Sequence, residues 1–283
     1  MPETSALNPE QLEEFERRGV VRLEGLLPLQ AVGPAREVVL RQLAKVGLWQ
    51  DGGWRLDAVP RPQWPDHGLK TSKVIGNRHE ALAALVADPA LCAAVSSLLG
   101  GRAYAARGSY TRPMVLFTLP NAEAWSLPDG WHTDSPRLAS NQSAGVQLFT
   151  FLEPVEPRGG GTVVIAGSHR LMNEGRHIRP RDLAARLRSE AFFRDMASAG
   201  PFIGEDPASL PSGAVNGEPL QVMEITGAPG DAWLVDLRVL HAGAPNAKDR
   251  PRVMLTHRFE RADLLSEVAE AWGWTAGVST TGI

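Results

Sequence analysis

Two short segments of the chain carry side chains that can hold a metal ion. The first is Trp131-His132-Thr133-Asp134, which lies just before a turn at Ser135-Pro136. If this segment is extended, His132 and Asp134 point to the same face, because side chains in a strand alternate with a period of two. Taken alone, this spacing fits a surface or core histidine beside an unrelated acid better than a metal site.

The second segment is an apolar strand at residues 232–240, which ends at His241. Turn residues follow it, and Arg252 then begins another apolar run. A hairpin that turns near Asn246 and Ala247 would place Arg252 directly opposite His241 on a neighbouring strand. Taken alone, His241 fits a histidine at the end of a strand better than a metal ligand.

Together, the two segments predict an iron site. Two histidines and one carboxylate form the facial triad of non-haem Fe(II) oxygenases, which leaves positions open for a chelating cosubstrate and for O₂. A fixed guanidinium can bind the distal carboxylate of 2-oxoglutarate through a bidentate fork. We therefore predict that His132, Asp134 and His241 are the catalytic metal ligands, and that Arg252 binds 2-oxoglutarate.

The patterning of the rest of the chain predicts the elements that position these residues. Helices are expected from Asn8 to Gly19, over residues 29–46, and as a pair over 80–99 that is split at Asp88-Pro89. A strand is expected at 20–27, and an aromatic loop at 47–68. Short β-type runs follow, which favours a sandwich or barrel. These runs cover residues 112–119, 145–152, 161–166, 220–226, 232–240 and 253–259. Residues 171–219 form an insertion with one helix at 180–199, which is typical of a cover.

Composition excludes several classes of protein. The chain has 283 residues, a net charge of −3 and one cysteine, Cys92. A single thiol cannot form an intrachain disulfide or a structural zinc site, and the charge does not suit a nucleic-acid binder. Asp88 and Pro89 interrupt the most apolar stretch, so no membrane span is predicted, and the N-terminus has no signal-peptide pattern. We expect a cytoplasmic protein that acts on a small molecule, and the oligomeric state is left open.

The chain resembles the phytanoyl-CoA dioxygenase family of Fe(II)/2-oxoglutarate-dependent oxygenases over most of its length. The matching text is Phe15 to Val21, the segment 131–134, Gly159 to Arg170, and Gly230 to Asn246 followed by Arg252. The resemblance implies that His132, Asp134 and His241 bind iron, that Arg252 binds the distal carboxylate of 2-oxoglutarate, and that Asn246 shapes the turn.

The chain departs from the family pattern at two places. Many members have a serine two residues after the distal histidine, where this chain has Gly243; Thr150 is the candidate hydroxyl to assist Arg252 instead. The usual lysine-proline stretch is Thr118-Leu119-Pro120 here, so Lys73 is the candidate lysine that contacts the cosubstrate.

The resemblance implies a double-stranded β-helix (a jelly roll, cupin-like and mainly β) with flanking N-terminal helices, in one catalytic domain over residues 1–283. The helix-rich part would be 1–100, and the jelly-roll core 101–283 with an insertion at 171–219. The implied reaction is hydroxylation of an unactivated C–H bond, with release of succinate and CO₂. Related halogenases lack the carboxylate ligand, so Asp134 favours hydroxylation over halogenation. Desaturation, epimerisation or cyclisation in natural-product tailoring, a non-oxygenase metal enzyme and a binding protein on the same barrel remain alternatives.

Other residues have less chemical significance. His169 is expected to make a structural hydrogen bond, and Cys92 to be an inert buried thiol in a helix. Arg137 is expected to be an exposed surface charge, with binding of an anionic substrate group as the alternative. Trp131 and Trp233 suggest an apolar pocket near the site.

Overall fold

The computed structural model describes residues 6–56, 78–105, 112–202 and 206–274. The helices are α1 (Pro9–Arg18), α2 (Leu29–Ala44), α3 (Glu80–Val86), α4 (Pro89–Leu98), α5 (Pro180–Leu187), α6 (Ala191–Ser198) and α7 (Leu265–Trp272). The strands are β1 (Val20–Leu23), β2 (Trp49–Gln50), β3 (Gly53–Trp54), β4 (Tyr104–Ala105), β5 (Met114–Thr118), β6 (Gly145–Phe151), β7 (Thr162–Ala166), β8 (Ser212–Val215), β9 (Glu218–Glu224), β10 (Ala232–Asp236), β11 (His241–Gly243) and β12 (Arg252–Arg261).

Two antiparallel sheets form the centre of the described fold. The larger, six-stranded sheet has the order β1-β10-β6-β12-β4, with β5 also paired to β12, and the four-stranded sheet has the order β11-β7-β9-β8. The sheets face each other without closing into a continuous barrel. This mainly β arrangement is the predicted double-stranded β-helix, with helices on its outside.

Alternate residues of the large sheet face two different cores. On one face, Leu148, Leu234 and Leu255 pack against the helices α2, α3 and α4. On the other, Phe149 and Met254 face the interior between the two sheets. A separate apolar cluster covers the outer face of the small sheet with α5 and α6. The predicted insertion therefore packs on the small sheet, and it contains two helices in place of the single one expected.

Local sequence signals explain where the first helix begins and ends. Asn8 accepts a hydrogen bond from the backbone N–H of Gln11, Pro9 occupies the first helical position, and Gly19 ends the helix with a φ of 71°. Glycine adopts this left-handed conformation at low cost. A Cβ at Gly19 would also meet the ring of His169 at 2.5 Å, so the chain passes from α1 into β1 directly over that histidine.

A buried carboxylate fixes the turn that leads into β10. Asp231 accepts hydrogen bonds from the backbone N–H groups of Gly25 and Ala228, and it pairs with Arg22 at 2.9 Å. The turn is therefore tied to the segment after β1, which pairs with β10 in antiparallel register. Because β10 leads towards His241, this clamp helps to set where that histidine lies.

Three further details of the predicted fold are wrong. A short hairpin, β2 and β3, begins the region that was expected to be a loop. The run 232–240 ends as a strand at Asp236, and His241 begins a separate strand. The expected hairpin between His241 and Arg252 does not form, because β11 pairs with β7 while β12 pairs with β4, β5 and β6.

Among the described residues, no single helix has the length and apolar character needed to cross a membrane. The helices α3 and α4 meet the criteria only when taken together, and they are bent by 45° relative to each other.

Candidate metal centre

The side chains of His132, Asp134 and His241 converge at one end of the interior between the sheets. One ligand atom from each lies within 4.8 Å of the other two. His241 Nε2 is 3.5 Å from Asp134 Oδ2, and His132 Nε2 is 3.9 Å from Asp134 Oδ1. The ring of His241 also contacts Phe149 of the large sheet at 6.2 Å between centroids. The structure thus brings together all three residues that were predicted as metal ligands.

Backbone hydrogen bonds fix the distance between the two histidines. The N–H of His132 donates to the carbonyl of His241 at 3.0 Å, and the N–H of His241 donates back at 2.9 Å. The N–H of Asp134 donates to the carbonyl of Leu237 at 3.1 Å. The extended segment 131–134 is therefore fastened to the chain around β11, and the period of two places His132 and Asp134 on one face as predicted.

Both imidazoles are held in the tautomer that suits a metal ligand. His132 Nδ1 donates to the carbonyl of Gly130 at 2.8 Å, and His241 Nδ1 donates to that of Val239 at 3.0 Å. A carbonyl accepts only from a protonated nitrogen, so the lone pair of each neutral ring is on Nε2. Burial lowers the pKa of His241, although Asp134 opposes the shift. The neutral, ligating form of His241 is therefore favoured.

The carboxylate of Asp134 has one engaged and one open oxygen. A guanidinium nitrogen of Arg258 lies 2.5 Å from Oδ1. Oδ2 is buried without a hydrogen-bond partner. A buried acceptor without a donor is costly unless something else satisfies it. Two Nε2 lone pairs and an open carboxylate oxygen are a donor set that fits a divalent iron ion.

Arg252 is a buried cation near the edge of the same interior. It lies on β12 with Met254 and Arg258, and residues two apart on a strand share one face. Its guanidinium donates to Thr118 Oγ1 at 2.6 Å, its Nε has no partner, and no carboxylate of the described residues is within ion-pair distance. Burial lowers the pKa of Arg252 to about 10. The charge of Glu224 opposes this shift without forming a direct ion pair. A buried guanidinium without a directly bound carboxylate is a good receptor for a carboxylate ligand.

The expectation that Thr150 assists Arg252 is corrected by the structure. Thr150 pairs with Leu255 across the sheet, and Leu255 faces the helices rather than the interior. The hydroxyl of Thr150 donates to the backbone carbonyl of Asp231 at 2.7 Å. The hydroxyl that contacts Arg252 belongs to Thr118, its direct partner on β5.

Arg137 is a buried residue that connects the segments around the site, and it is not a surface charge. It is 1% exposed, and its guanidinium donates to the backbone carbonyls of Leu171, Ser168 and Arg238. Burial lowers its pKa to about 9. Arg137 ties the loop after Asp134 to the chain before His241, so the prediction that it is exposed was wrong.

The remaining predictions concern residues around the site. His169 is buried and Nε2 contacts the carbonyl of Glu16 at 3.0 Å, which confirms a structural role. Asn246 is fully buried and closes the turn before β12 through Arg250 and Lys248, as the resemblance implied. Lys73, the candidate cosubstrate contact, lies outside the described residues.

Two functional contacts were missed from the sequence. Arg258 touches Asp134, and Thr118 touches Arg252. A signal for Arg258 was present, because it lies an even number of residues after Arg252 on the same strand. Thr118 required the β5–β12 register, which only the folded chain provides.

A cavity opens beside His132. It has a volume of about 440 Å³ and is lined by His132, Trp131 and Trp272 among others. Trp131 therefore lies at a pocket next to the site, as expected. Trp233 lies in the apolar cluster between the two sheets, where its indole N–H donates to the carbonyl of Thr226.

A double-stranded β-helix with a His/Asp/His cluster between its sheets defines the class of 2-oxoglutarate-dependent non-haem iron dioxygenases, enzymes that use Fe(II), 2-oxoglutarate and O₂. The sequence profile of the phytanoyl-CoA dioxygenase family matches residues 15–254. The chain belongs to this family.

Solved structures with the same fold have low sequence identity to the chain. SnoK, a non-haem α-ketoglutarate-dependent carbocyclase from nogalamycin biosynthesis, has 18% identity and a TM-score of 0.56, over 92% of this chain and 87% of its own. EctD from S. alaskensis with bound Fe has 16% identity and a TM-score of 0.55, over 93% and 80%. AviO1 from Streptomyces viridochromogenes Tue57 has 17% identity and a TM-score of 0.51, over 92% and 97%. No curated protein matches the chain in sequence.

Proposed function

We propose that His132, Asp134 and His241 hold the iron of this dioxygenase, and that the enzyme hydroxylates an unactivated C–H bond of a small molecule. The observation that carries this assignment is the state of the two imidazoles. Each commits Nδ1 to a backbone carbonyl, which leaves Nε2 next to the carboxylate of Asp134. Residues 15–254 match the family as one stretch, which supports a single catalytic domain.

Arg252 is the proposed anchor for the distal carboxylate of 2-oxoglutarate. Its guanidinium is buried, and Thr118 holds one of its nitrogens. A carboxylate bound here would receive charge-assisted hydrogen bonds and would form the direct ion pair that the described residues do not provide. Arg252 shares the inner face of β12 with Arg258, which contacts Asp134, so one strand connects the two proposed subsites.

The protein contributes position and protection from water. When bound, Fe(II) and 2-oxoglutarate supply the oxidising chemistry, in which O₂ is consumed and succinate and CO₂ are released as the substrate is oxidised. His241 and Asp134 are almost fully covered, whereas the ring of His132 is 53% exposed. The substrate is therefore expected to approach from the side of His132. The carboxylate of Asp134 occupies the position that halogenases vacate, which favours hydroxylation.

The test is an anaerobic titration with Fe(II) and then 2-oxoglutarate, monitored by the visible charge-transfer absorption of the chelate. We expect the band with the wild-type chain, its loss in Asp134→Ala, and a shift to about tenfold higher 2-oxoglutarate concentration or more in Arg252→Gln. His79→Gln, an exposed histidine outside the site, is the matched control. An unchanged titration in Asp134→Ala would overturn the ligand assignment.

Product analysis separates hydroxylation from the other reactions that such centres perform. Hydroxylation adds one oxygen atom to the substrate, whereas epimerisation does not change its composition, and desaturation and cyclisation remove two hydrogens. Mass spectrometry of the product formed under labelled O₂ therefore checks the proposed outcome directly. Turnover without incorporation of oxygen into the product would favour epimerisation, desaturation or cyclisation over hydroxylation.

A further inference from the structure

Two adjoining cavities lie on the exposed side of His132. The cavity at the histidine has a volume of about 440 Å³, and a second cavity of about 300 Å³ adjoins it without reaching His132. We call this second cavity the outer compartment. Trp131 and Ala184 line both. These volumes are typical of sites for small molecules. We call the two together the substrate cleft.

The compartment at His132 combines aromatic surface with positive charge. Its lining includes the rings of Trp131 and Trp272 and the side chains of Arg179 and Arg181, and it contains no acidic residue. Trp272 belongs to α7, and its ring stacks on that of Trp274 at 5.5 Å with an angle of 10° between the planes. Flat aromatic side chains favour a flat apolar ligand.

Arg179 has no ion pair with the described residues, unlike the neighbouring Arg176, Arg181 and Arg186. Arg176 and Arg186 both pair with Glu174, and Arg181 lies 3.6 Å from Asp182. Arg179 precedes α5, and a Cβ placed on Gly273 would be 3.2 Å from its guanidinium. The guanidinium thus lies between the start of α5 and the end of α7, where it can meet an anion in the cleft.

The outer compartment is mainly apolar. Leu187, Phe193, Met196 and Leu240 contribute to its wall, and its two charged residues, Asp129 and Arg188, have opposite signs. The helices α5 and α6 supply much of this wall. A ligand that extends from His132 into the outer compartment would therefore bury apolar surface there.

We propose that the substrate cleft binds an organic carboxylate with a planar apolar body, and that Arg179 binds its carboxylate. The planar part would lie against Trp131 and Trp272, next to His132, and any extension would occupy the outer compartment. This inference rests on the proposed function, because it makes the cleft the place where the oxidised C–H bond is held beside the metal centre.

A matched pair of probes tests the charge preference. 2-Naphthoate and 2-naphthamide have the same planar body, but only the first has a negative charge. Equilibrium dialysis would be done on the full chain with Fe(II) and saturating 2-oxoglutarate under anaerobic conditions. We expect 2-naphthoate to bind about tenfold more tightly than the amide, because hydrogen bonds between charged groups are stronger than neutral ones.

Variants locate the bound carboxylate. Arg179→Gln should abolish the preference for 2-naphthoate and leave binding of the amide unchanged. Arg176→Gln, in which the lost arginine is paired with Glu174, should keep the preference. Trp272→Leu should weaken both probes. Equal binding of the two probes by the wild-type chain, or a preference that persists in Arg179→Gln, would overturn the proposal.

The charge-transfer titration on the same preparation distinguishes the two proposals. A normal band together with no preference for 2-naphthoate would refute the substrate class and leave the metal centre intact. Arg179-dependent binding of 2-naphthoate without a band would support an anion-binding cleft and refute the iron site. A change in the band on addition of 2-naphthoate would place the probe next to the metal.

Discussion

Arg258 and Asp134 form a buried ion pair in which the guanidinium occupies only one of the two carboxylate oxygens. The contact to Oδ1 is 2.5 Å, and Oδ2 has no hydrogen-bond partner. Arg258 therefore orients the carboxylate with one oxygen directed away from the cation. Such outer partners of metal ligands fix the ligand's geometry, and their loss weakens metal binding.

The first prediction concerns this pair. Arg258→Gln should weaken Fe(II) binding about tenfold, because Asp134 loses the contact that orients it, and Arg258→Lys should restore part of the affinity. Anaerobic Fe(II) titration measures the change. Arg261→Gln is the control, since Arg261 lies on the same strand but pairs with Asp263. Equal Fe(II) affinities in Arg258→Gln and the wild-type chain would show that the pair does not position Asp134.

The second prediction separates binding of the cosubstrate from binding of the metal. Thr118→Val removes the hydroxyl that holds Arg252 at 2.6 Å, so the KM for 2-oxoglutarate should rise several-fold, in line with the loss of one charge-assisted hydrogen bond. Fe(II) affinity should not change. Thr150→Val, on the opposite face of the sheet, should leave this KM unchanged. The reverse ranking of the two variants would refute the role of Thr118.

The third prediction is a loss of stability at high pH caused by Glu224. Burial raises the pKa of Glu224 from 4.5 to about 7, although its Oε2 accepts a hydrogen bond from the N–H of Arg158. The folded state holds the proton of Glu224 more tightly than the unfolded chain does. The contribution of Glu224 to the free energy of unfolding is therefore present below pH 4.5 and is lost as the pH rises through 7. The free energy of unfolding should fall by about 3 kcal/mol over this range. Urea unfolding of Glu224→Gln should show a smaller fall, and an identical pH profile would contradict the assignment.

The fourth prediction has the opposite sign and concerns His257. Burial lowers its pKa from 6.5 to about 4. Its ring packs edge-on against Phe259 at 4.8 Å, and Nδ1 has no hydrogen-bond partner. The folded state favours the neutral imidazole of His257. Its contribution to the free energy of unfolding is therefore present above pH 6.5 and is lost as the pH falls towards 4. The expected loss is about 3 kcal/mol. His257→Phe should be less sensitive to acid, with exposed His79→Gln as the control.

Local patterns in the sequence predicted much of the fold and of the site. The cap at Asn8, the break at Pro89 and the short β runs each depend on neighbouring residues, so helices and strands were found close to their true positions. The spacing of His132 and Asp134 on one extended segment has the same local character. This spacing alone favours an ordinary histidine, so the metal ligands were predicted only from its combination with His241 and Arg252 and from the resemblance to the family.

Relationships between distant strands could not be predicted in this way. The turn at Asn246 suggested a hairpin, but the chain crosses there from the small sheet to the large one, so His241 and Arg252 belong to different sheets. Thr150 was proposed without knowledge of which face of β6 is internal. Arg137 has a charge that usually indicates exposure, and only the three carbonyls around it explain its burial.

The two backbone hydrogen bonds that join His132 and His241 also affect how the enzyme can be handled. They hold the two imidazoles together through peptide groups, so the folded chain keeps the ligands in place independently of any ion. We therefore expect chelators to strip the protein without unfolding it, and the stripped protein to be refilled with different divalent metals. A spectroscopically silent or redox-inert ion can then replace iron for slow measurements in air.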